Sequence, residues 1–150
     1  MALLVVGVMA CGADPPPDLR YATPRATLGT LFEAWGVDAL TAADVEARKA
    51  RGRGFHLSDP ASFRGCFADW EQPADEALAG YVFGVLAPAK DALRVVPGAE
   101  RTLVFAEDAP PVVLRRDEGG WRIVLGESVP ASTRRHLGEA ARDLETERAP

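Results

Sequence analysis

The chain has 150 residues, of which 47% are hydrophobic and 26% are charged, and its formal net charge is −5. This length and composition suit one globular domain that buries a core without disulfide or metal staples. The negative charge argues against a general nucleic-acid binder, because such proteins usually present a basic face.

The first ten residues are uncharged, and Cys11 follows them directly. This run is too short to span a bilayer, which takes about 20 apolar residues, but it suits the apolar core of a secretory signal. Val8-Met9-Ala10-Cys11 resembles the bacterial lipobox, with an aliphatic residue at −3 and a small residue before the cysteine. The resemblance implies a signal peptide at 1–10, cleavage before Cys11, and diacylation of that cysteine.

Gly12 follows the cysteine where Asp is associated with inner-membrane retention, so we expect a lipid anchor in the outer membrane, facing the periplasm. No basic residue precedes the apolar run, and a start codon placed too far downstream would account for that departure. The alternatives are a frayed apolar terminus or an N-terminal strand, in a soluble cytoplasmic protein.

Residues 11–23 are interpreted as the lipidated cysteine and a tether, because three consecutive prolines, 15–17, favour an extended polyproline spacer. Residues 24–150 are predicted to form a single α+β domain. Thr23-Pro24 begins the first helix, with an apolar stripe at Leu28, Leu31, Phe32 and Trp35 and an end at Gly36.

Three further helices are predicted in the N-terminal part of the domain. Thr41 and Asp44 indicate a capped helix that runs to about Arg51. A third helix begins at Asp59-Pro60, with a stripe of Phe63, Cys66, Phe67 and Trp70. A fourth runs from about Pro73 to Leu86, with Leu78, Tyr81, Val82 and Val85 buried, and Gly80 and Gly84 either weaken it or allow close approach.

Strands follow. The runs 93–96 and 102–105 are separated by a turn, and Gly119-Gly120 joins 112–114 to 121–125 in a hairpin. Alternation places Trp121, Ile123 and Leu125 on one face, which needs a cover of helices. A charged C-terminal helix to about Glu145 should lie on the surface, since its only large apolar residues are Leu137 and Leu144.

Two stretches are similar to the NTF2-like folds, which include SnoaL-like and DUF4878-like domains. They are Thr23-Pro24 with its apolar stripe, and Val113–Val124, which reads Val-Leu-Arg-Arg-Asp-Glu-Gly-Gly-Trp-Arg-Ile-Val. The resemblance covers about residues 23–127 and implies helices packed on a curved antiparallel sheet of three to four strands, NTF2-like or cystatin-like. The two helices between 59 and 86 depart from the early hairpin usual in that family.

Few residues point to chemistry. His56, Ser58 and Asp59 could form a proton-transfer site, although a capped helix start beside a loop histidine is the simpler interpretation. No zinc-ligand spacing or phosphate-binding loop occurs, so no metal or cofactor is predicted. Cys66 is expected to be a packed, inert thiol, with a reactive thiol or a bridge to Cys11 as alternatives.

Three charged clusters have both a functional and a structural interpretation, and the structural one is favoured in each. The first, an acidic cluster, could form a catalytic dyad or simply favour the dipole of the following helix. The second, a basic run, could bind anions or phospholipid headgroups or be the solvated end of a helix. The third is interpreted as the solvated tip of the hairpin. These clusters are, in order, Asp69, Glu71, Asp75 and Glu76; Arg48, Lys49, Arg51 and Arg53; and Arg115, Arg116, Asp117 and Glu118.

The function predicted is that of a lipid-anchored envelope protein acting as a non-catalytic binding or interaction module. Its partners would be the membrane, through the anchor, and a protein or small apolar ligand on a sheet face lined by Trp121, Ile123 and Phe105. The alternative is a small SnoaL-like enzyme with His56 or a nearby carboxylate as general base. A pocket plugged by Phe32, Trp35 and Trp70 would favour the module.

Overall fold

Helices and one antiparallel sheet make up the fold in a computed structural model, which describes residue 16 and residues 18–149. This confirms the α+β class, with N-terminal helices, four strands and a C-terminal helix. The helices of the described residues are α1 (Pro24–Ala34), α2 (Ala42–Ala50), α3 (Pro60–Gly65), α4 (Asp75–Leu86), α5 (Leu125–Ser128) and α6 (Ala131–Arg148). The strands are β1 (Arg94–Val96), β2 (Arg101–Phe105), β3 (Val112–Asp117) and β4 (Gly120–Ile123).

The first two helices begin where their capping residues predict. The Thr23 hydroxyl accepts a hydrogen bond from the Ala26 N–H, and Pro24 takes the first helical position of α1. Gly36, with φ +64°, ends α1 in the left-handed conformation that glycine tolerates best. Thr41 and Asp44 form the predicted capping box of α2.

The third helix is shorter than predicted. It ends at Gly65, so Cys66 and Phe67 lie beyond it and not on its stripe. The segment from Cys66 to Ala68 instead runs along the outer edge of β4: the Ile123 N–H donates to the Cys66 carbonyl at 2.7 Å, and the Ala68 N–H donates to the Ile123 carbonyl at 2.9 Å. A strand edge needs such partners for its backbone groups, and this need overrides the helical periodicity.

The buried stripe of α4 is also rotated from the prediction. Its fully buried members are Ala79, Val82, Phe83 and Leu86. Leu78, Tyr81 and Val85 are only partly buried. A Cβ atom at Gly80 or Gly84 would meet nothing within 4 Å, so neither glycine serves a close approach.

The sheet is a meander in the order β1-β2-β3-β4, with neighbouring strands antiparallel. Cross-strand partners place Val104, Leu114 and Ile123 on one face, and all three are fully buried. Helix α1 packs here, where the Thr27 hydroxyl donates to the Trp121 carbonyl at 2.6 Å. The predicted helical cover over Trp121 and Ile123 is confirmed, and this side is the covered face below.

Two residues expected on the face of Trp121 and Ile123 were placed wrongly, Phe105 as a lining residue of that face and Leu125 by alternation along the strand. Phe105 lies on the opposite, open face of the sheet, beside Arg94 of β1, because Val104 occupies the covered face. Strand β4 ends at Ile123, and Leu125 is the first residue of α5. Leu125 is nevertheless buried, since α5 packs against β3.

The hairpin between β3 and β4 turns as predicted, but with a different use of its glycines. Asp117 pairs with Gly120, so Glu118 and Gly119 form the turn. Only Gly120 has a positive φ, +117°, and a Cβ there would collide with the Tyr21 carbonyl. The Asp117 carboxylate accepts from the Gly119 N–H at 2.7 Å, which stabilises the turn.

The two ends of the described chain differ in burial. Leu19–Tyr21, within the stretch predicted as a tether, form a short 3-10 turn, and Tyr21 is 3% exposed, with its hydroxyl donating to the Ser62 carbonyl. Helix α6 has no buried residue, and Leu144 is 56% exposed, which confirms that it lies on the surface.

Candidate functional site

Six aromatic rings form a connected set of contacts in the core. Trp35 stacks on Phe83 with ring centroids 4.8 Å apart, and edge-to-face pairs continue from Phe63 to Phe67 and Trp70 at 5.3–5.6 Å. Such pairs stabilise a core beyond their buried area. They pack with the sheet residues of the covered face in one continuous core. The rings are Trp35, Phe55, Phe63, Phe67, Trp70 and Phe83.

The His56–Ser58–Asp59 group is divided among structural roles. His56 is an exposed loop residue. The Ser58 hydroxyl donates to the Ala34 carbonyl at 3.0 Å, which ties the loop to the end of α1. The Asp59 carboxylate accepts from the Ser62 N–H at 3.1 Å as the cap of α3, and hydrogen bonds from the Ser62 side chain and N–H lower its pKa.

Cys66 lies in the core as a free thiol. Its side chain is fully buried, and Sγ donates to the Ser62 carbonyl at 3.3 Å. Burial raises the pKa of the Cys66 thiol to about 12. Because the thiolate is the nucleophilic form, this environment suppresses reactivity and supports the packed, inert interpretation.

Two carboxylates of the acidic cluster around Trp70, Asp69 and Asp75, accept hydrogen bonds from backbone N–H groups. The Asp69 carboxylate accepts from the N–H groups of Leu125 at 2.7 Å and Gly126 at 2.9 Å, and so caps α5. The Asp75 carboxylate accepts from the N–H groups ahead of α4, at 2.8–2.9 Å. The structural interpretation holds for these two carboxylates, although Asp69 serves a helix 56 residues away along the chain.

The two remaining charged clusters lie on the surface. The basic run from Arg48 to Arg53 is exposed at the end of α2. At the hairpin, Arg115 binds Glu127 through two hydrogen bonds of 2.5 and 2.7 Å, which raise the pKa of the guanidinium and lower that of the carboxyl. Arg116 and Glu118 are solvated.

Surface concavities are where a partner has room to bind. One of about 450 Å³ surrounds Trp70 and Arg64, and one of about 520 Å³ lies between α2, α4 and the loop at 106–109. A smaller cleft of about 240 Å³ separates α1 from the chain entering β1. We call it the α1–β1 cleft; its lining residues are Arg25, Leu28, Gly29, Phe32, Lys90, Asp91 and Leu93.

The sequence-based reasoning did not identify this cleft. Its α1 residues fall on one stripe of the helix, Arg25, Gly29 and Phe32, and a glycine in the middle of a well-capped helix was the available signal. The residues that complete the cleft, Lys90, Asp91 and Leu93, are brought beside α1 only by tertiary packing.

The lipidation residue Cys11 lies outside the described residues. Within the described part of the chain, no group of three or more metal-ligating side chains occurs, and no helix is long and apolar enough to cross a membrane. Comparisons with protein-family models, curated proteins and solved structures found no match for this chain.

Proposed function

We propose that this protein is a bacterial envelope lipoprotein, anchored through Cys11, whose domain acts as a non-catalytic binding or interaction module. We further propose that the domain is NTF2-like, with helices packed on a curved sheet. The lipobox-like Val8–Cys11 supports the anchor, and the order of helices followed by an antiparallel meander supports the domain type.

One observation favours a module over an enzyme. In an NTF2-like enzyme the pocket lies between the helices and the sheet, and here the covered face and the aromatic rings of the helical part pack together in one continuous core. The side chains that could act as a base or nucleophile have structural roles: Asp59 and Asp69 cap helices, and the Cys66 thiol is buried. Binding at the surface therefore accounts for the molecule better than catalysis inside it.

The proposed lipid anchor is tested by the intact mass of the protein purified from detergent-solubilised membranes of a bacterial host. We expect the mass of the chain from Cys11 plus acyl groups, and loss of that modification in Cys11→Ser. Cys66→Ala is the matched control, since it removes the other cysteine and should keep the acyl mass. An unmodified chain beginning at Met1 in the soluble fraction would refute the lipoprotein.

The non-catalytic role is tested by complementation of any phenotype that deletion of the gene produces. His56→Ala should complement as well as wild type, and so should His136→Ala, which alters the other histidine of the chain. Complementation lost in His56→Ala alone, with unfolding unchanged, would instead favour the enzyme with His56 as base.

A further inference from the structure

The outer edge of β1 adjoins the α1–β1 cleft. Among the described strands β1 pairs only with β2, and its Arg94 and Val96 are exposed. Leu93, the residue before the strand, lines the cleft together with Phe32 of α1. An unpaired edge beside a helix is a site where an extended peptide can add as another strand.

The geometry of strand addition determines which side chains would meet. A new strand would lie about 4.8 Å from β1, and its side chains would alternate between the two faces of the sheet. One set would stand on the face of Val95, the side on which Leu93, two residues earlier, lines the cleft. The other set would stand beside Arg94 and Val96 on the open face.

The charges along this edge favour an acidic occupant. Arg25 in the cleft and Arg94 on the strand have no carboxylate within 4 Å among the described residues. The one acidic residue of the cleft, Asp91, is 3.4 Å from Lys90 and accepts from the Ala42 N–H. On a protein of net charge −5, this edge therefore presents two uncompensated cations.

Apolar surface accompanies these cations. Val96 is 40% exposed, and Leu103 and Phe105 beside it on the open face are partly exposed. The Arg94 guanidinium lies 4.2 Å above the Phe105 ring, which holds the cation in place over the strand. The cleft itself is more polar: Leu28 and Phe32 are buried beneath it, and Arg25, Lys90 and Asp91 are among its lining residues.

We propose that an extended acidic segment of a partner protein, with alternating carboxylate and apolar side chains, binds as a fifth strand along β1 in the α1–β1 cleft. Its carboxylates stand on the cleft side and pair with Arg25, and its apolar side chains stand on the open face and cover Val96 and Phe105. This inference rests on the proposed role as an interaction module and names the partner's chemistry.

Gly29 supplies the variant that tests the site. A side chain at Gly29 has open space in the free protein, since a Cβ there meets nothing within 4 Å, yet it would occupy the cleft. Gly29→Leu should therefore keep the fold and block the segment. Gly80→Leu is the matched control, because Gly80 is an exposed glycine in the middle of α4 that also has no neighbour within 4 Å.

The experiment measures the fluorescence anisotropy of a labelled decapeptide of alternating Glu and Val, titrated with the unlipidated full chain carrying Cys11→Ser. We expect it to bind at least about tenfold more tightly than the decapeptide of alternating Lys and Val, because opposite charge favours the complex. Gly29→Leu and Arg25→Glu should each weaken binding by about tenfold, whereas Gly80→Leu should not. Hydrogen exchange should show added protection in β1.

Equal binding of the two peptides, binding unaffected by Gly29→Leu, or protection gained away from β1 would overturn the proposal, as would no binding at about 1 mM protein. A dimer of the free protein that Gly29→Leu converts to a monomer would assign the cleft to a second copy instead. The titration uses unlipidated protein, so its failure leaves the anchor untouched, whereas the membrane mass measurement tests the anchor alone.

Discussion

The two edges of the sheet differ in what lies beside them. The outer edge of β4 is covered by the segment Cys66–Ala68, which exchanges two backbone hydrogen bonds with Ile123. The outer edge of β1 has no strand beside it in the described part of the chain. One end of the sheet is closed by the protein itself, and the other is left with unpaired backbone groups.

The difference shows which end of the sheet the chain covers itself and which end it leaves unpaired. Uncovered edges promote unwanted pairing, and natural proteins limit the risk with short edge strands and charges. Strand β1 has three residues and carries the charged Arg94, so its edge is short and disfavours pairing with neutral or basic segments. The covering segment, by contrast, belongs to the core through Cys66 and Phe67.

The largest expected effect comes from opening the covered edge. Phe67 is 4% exposed and packs edge-to-face against Phe63 and Trp70, so Phe67→Ala should lower the free energy of unfolding by about 3–5 kcal/mol. Phe105→Ala, on the open face, should cost only about 1 kcal/mol because that ring is partly exposed already. Urea unfolding measures both, and equal losses would contradict the distinction between the faces.

High pH should also weaken the covered edge, through the Cys66 thiol. Burial raises its pKa from 9.0 to about 12. The buried neutral thiol therefore contributes fully to the free energy of unfolding below pH 9, and this contribution is lost as pH rises toward 12. At about 1.4 kcal/mol per pKa unit, the full loss is on the order of a few kcal/mol.

Urea unfolding across this pH range checks the expectation. Cys66→Ala should lose less stability than wild type between pH 9 and 12, because it has no thiol to ionise in the unfolded chain. Parallel losses in the two proteins would mean that Cys66 does not govern the alkaline limit.

A smaller effect is expected where the covering segment continues into the cap of α5. Asp69→Ala leaves the Leu125 and Gly126 N–H groups without their acceptor and should cost about 1 kcal/mol. Asp69→Asn keeps one oxygen as an acceptor and should lose less. If the two variants unfold at the same urea concentration, the hydrogen bonds to α5 are not what Asp69 contributes.

The smallest effect belongs to the open edge. Val96→Lys places a charge on a residue that is already 40% exposed and should change the free energy of unfolding by no more than about 0.5 kcal/mol. A loss of several kcal/mol in urea unfolding would mean that β1 is held from both sides and that no edge is free for a partner.

Local sequence signals determined the parts of the fold whose partners are near along the chain. The caps at Thr23 and Thr41, the end of α1 at Gly36 and the β3–β4 hairpin are set by residues within a few positions of one another. Helical periodicity alone failed at Cys66 and Phe67, because the backbone groups on either side of Phe67, Cys66 C=O and Ala68 N–H, bond to Ile123, more than 50 residues later.

The sequence by itself determined the α+β class, the first two helices, the surface position of α6 and the lipobox-like motif that motivates the proposed anchor. Tertiary structure alone decided which face Phe105 occupies, which sheet edge is covered and where the α1–β1 cleft lies. The reason is physical: capping and turn energies act between neighbours in sequence, whereas edge coverage and clefts arise from contacts between residues far apart in the chain.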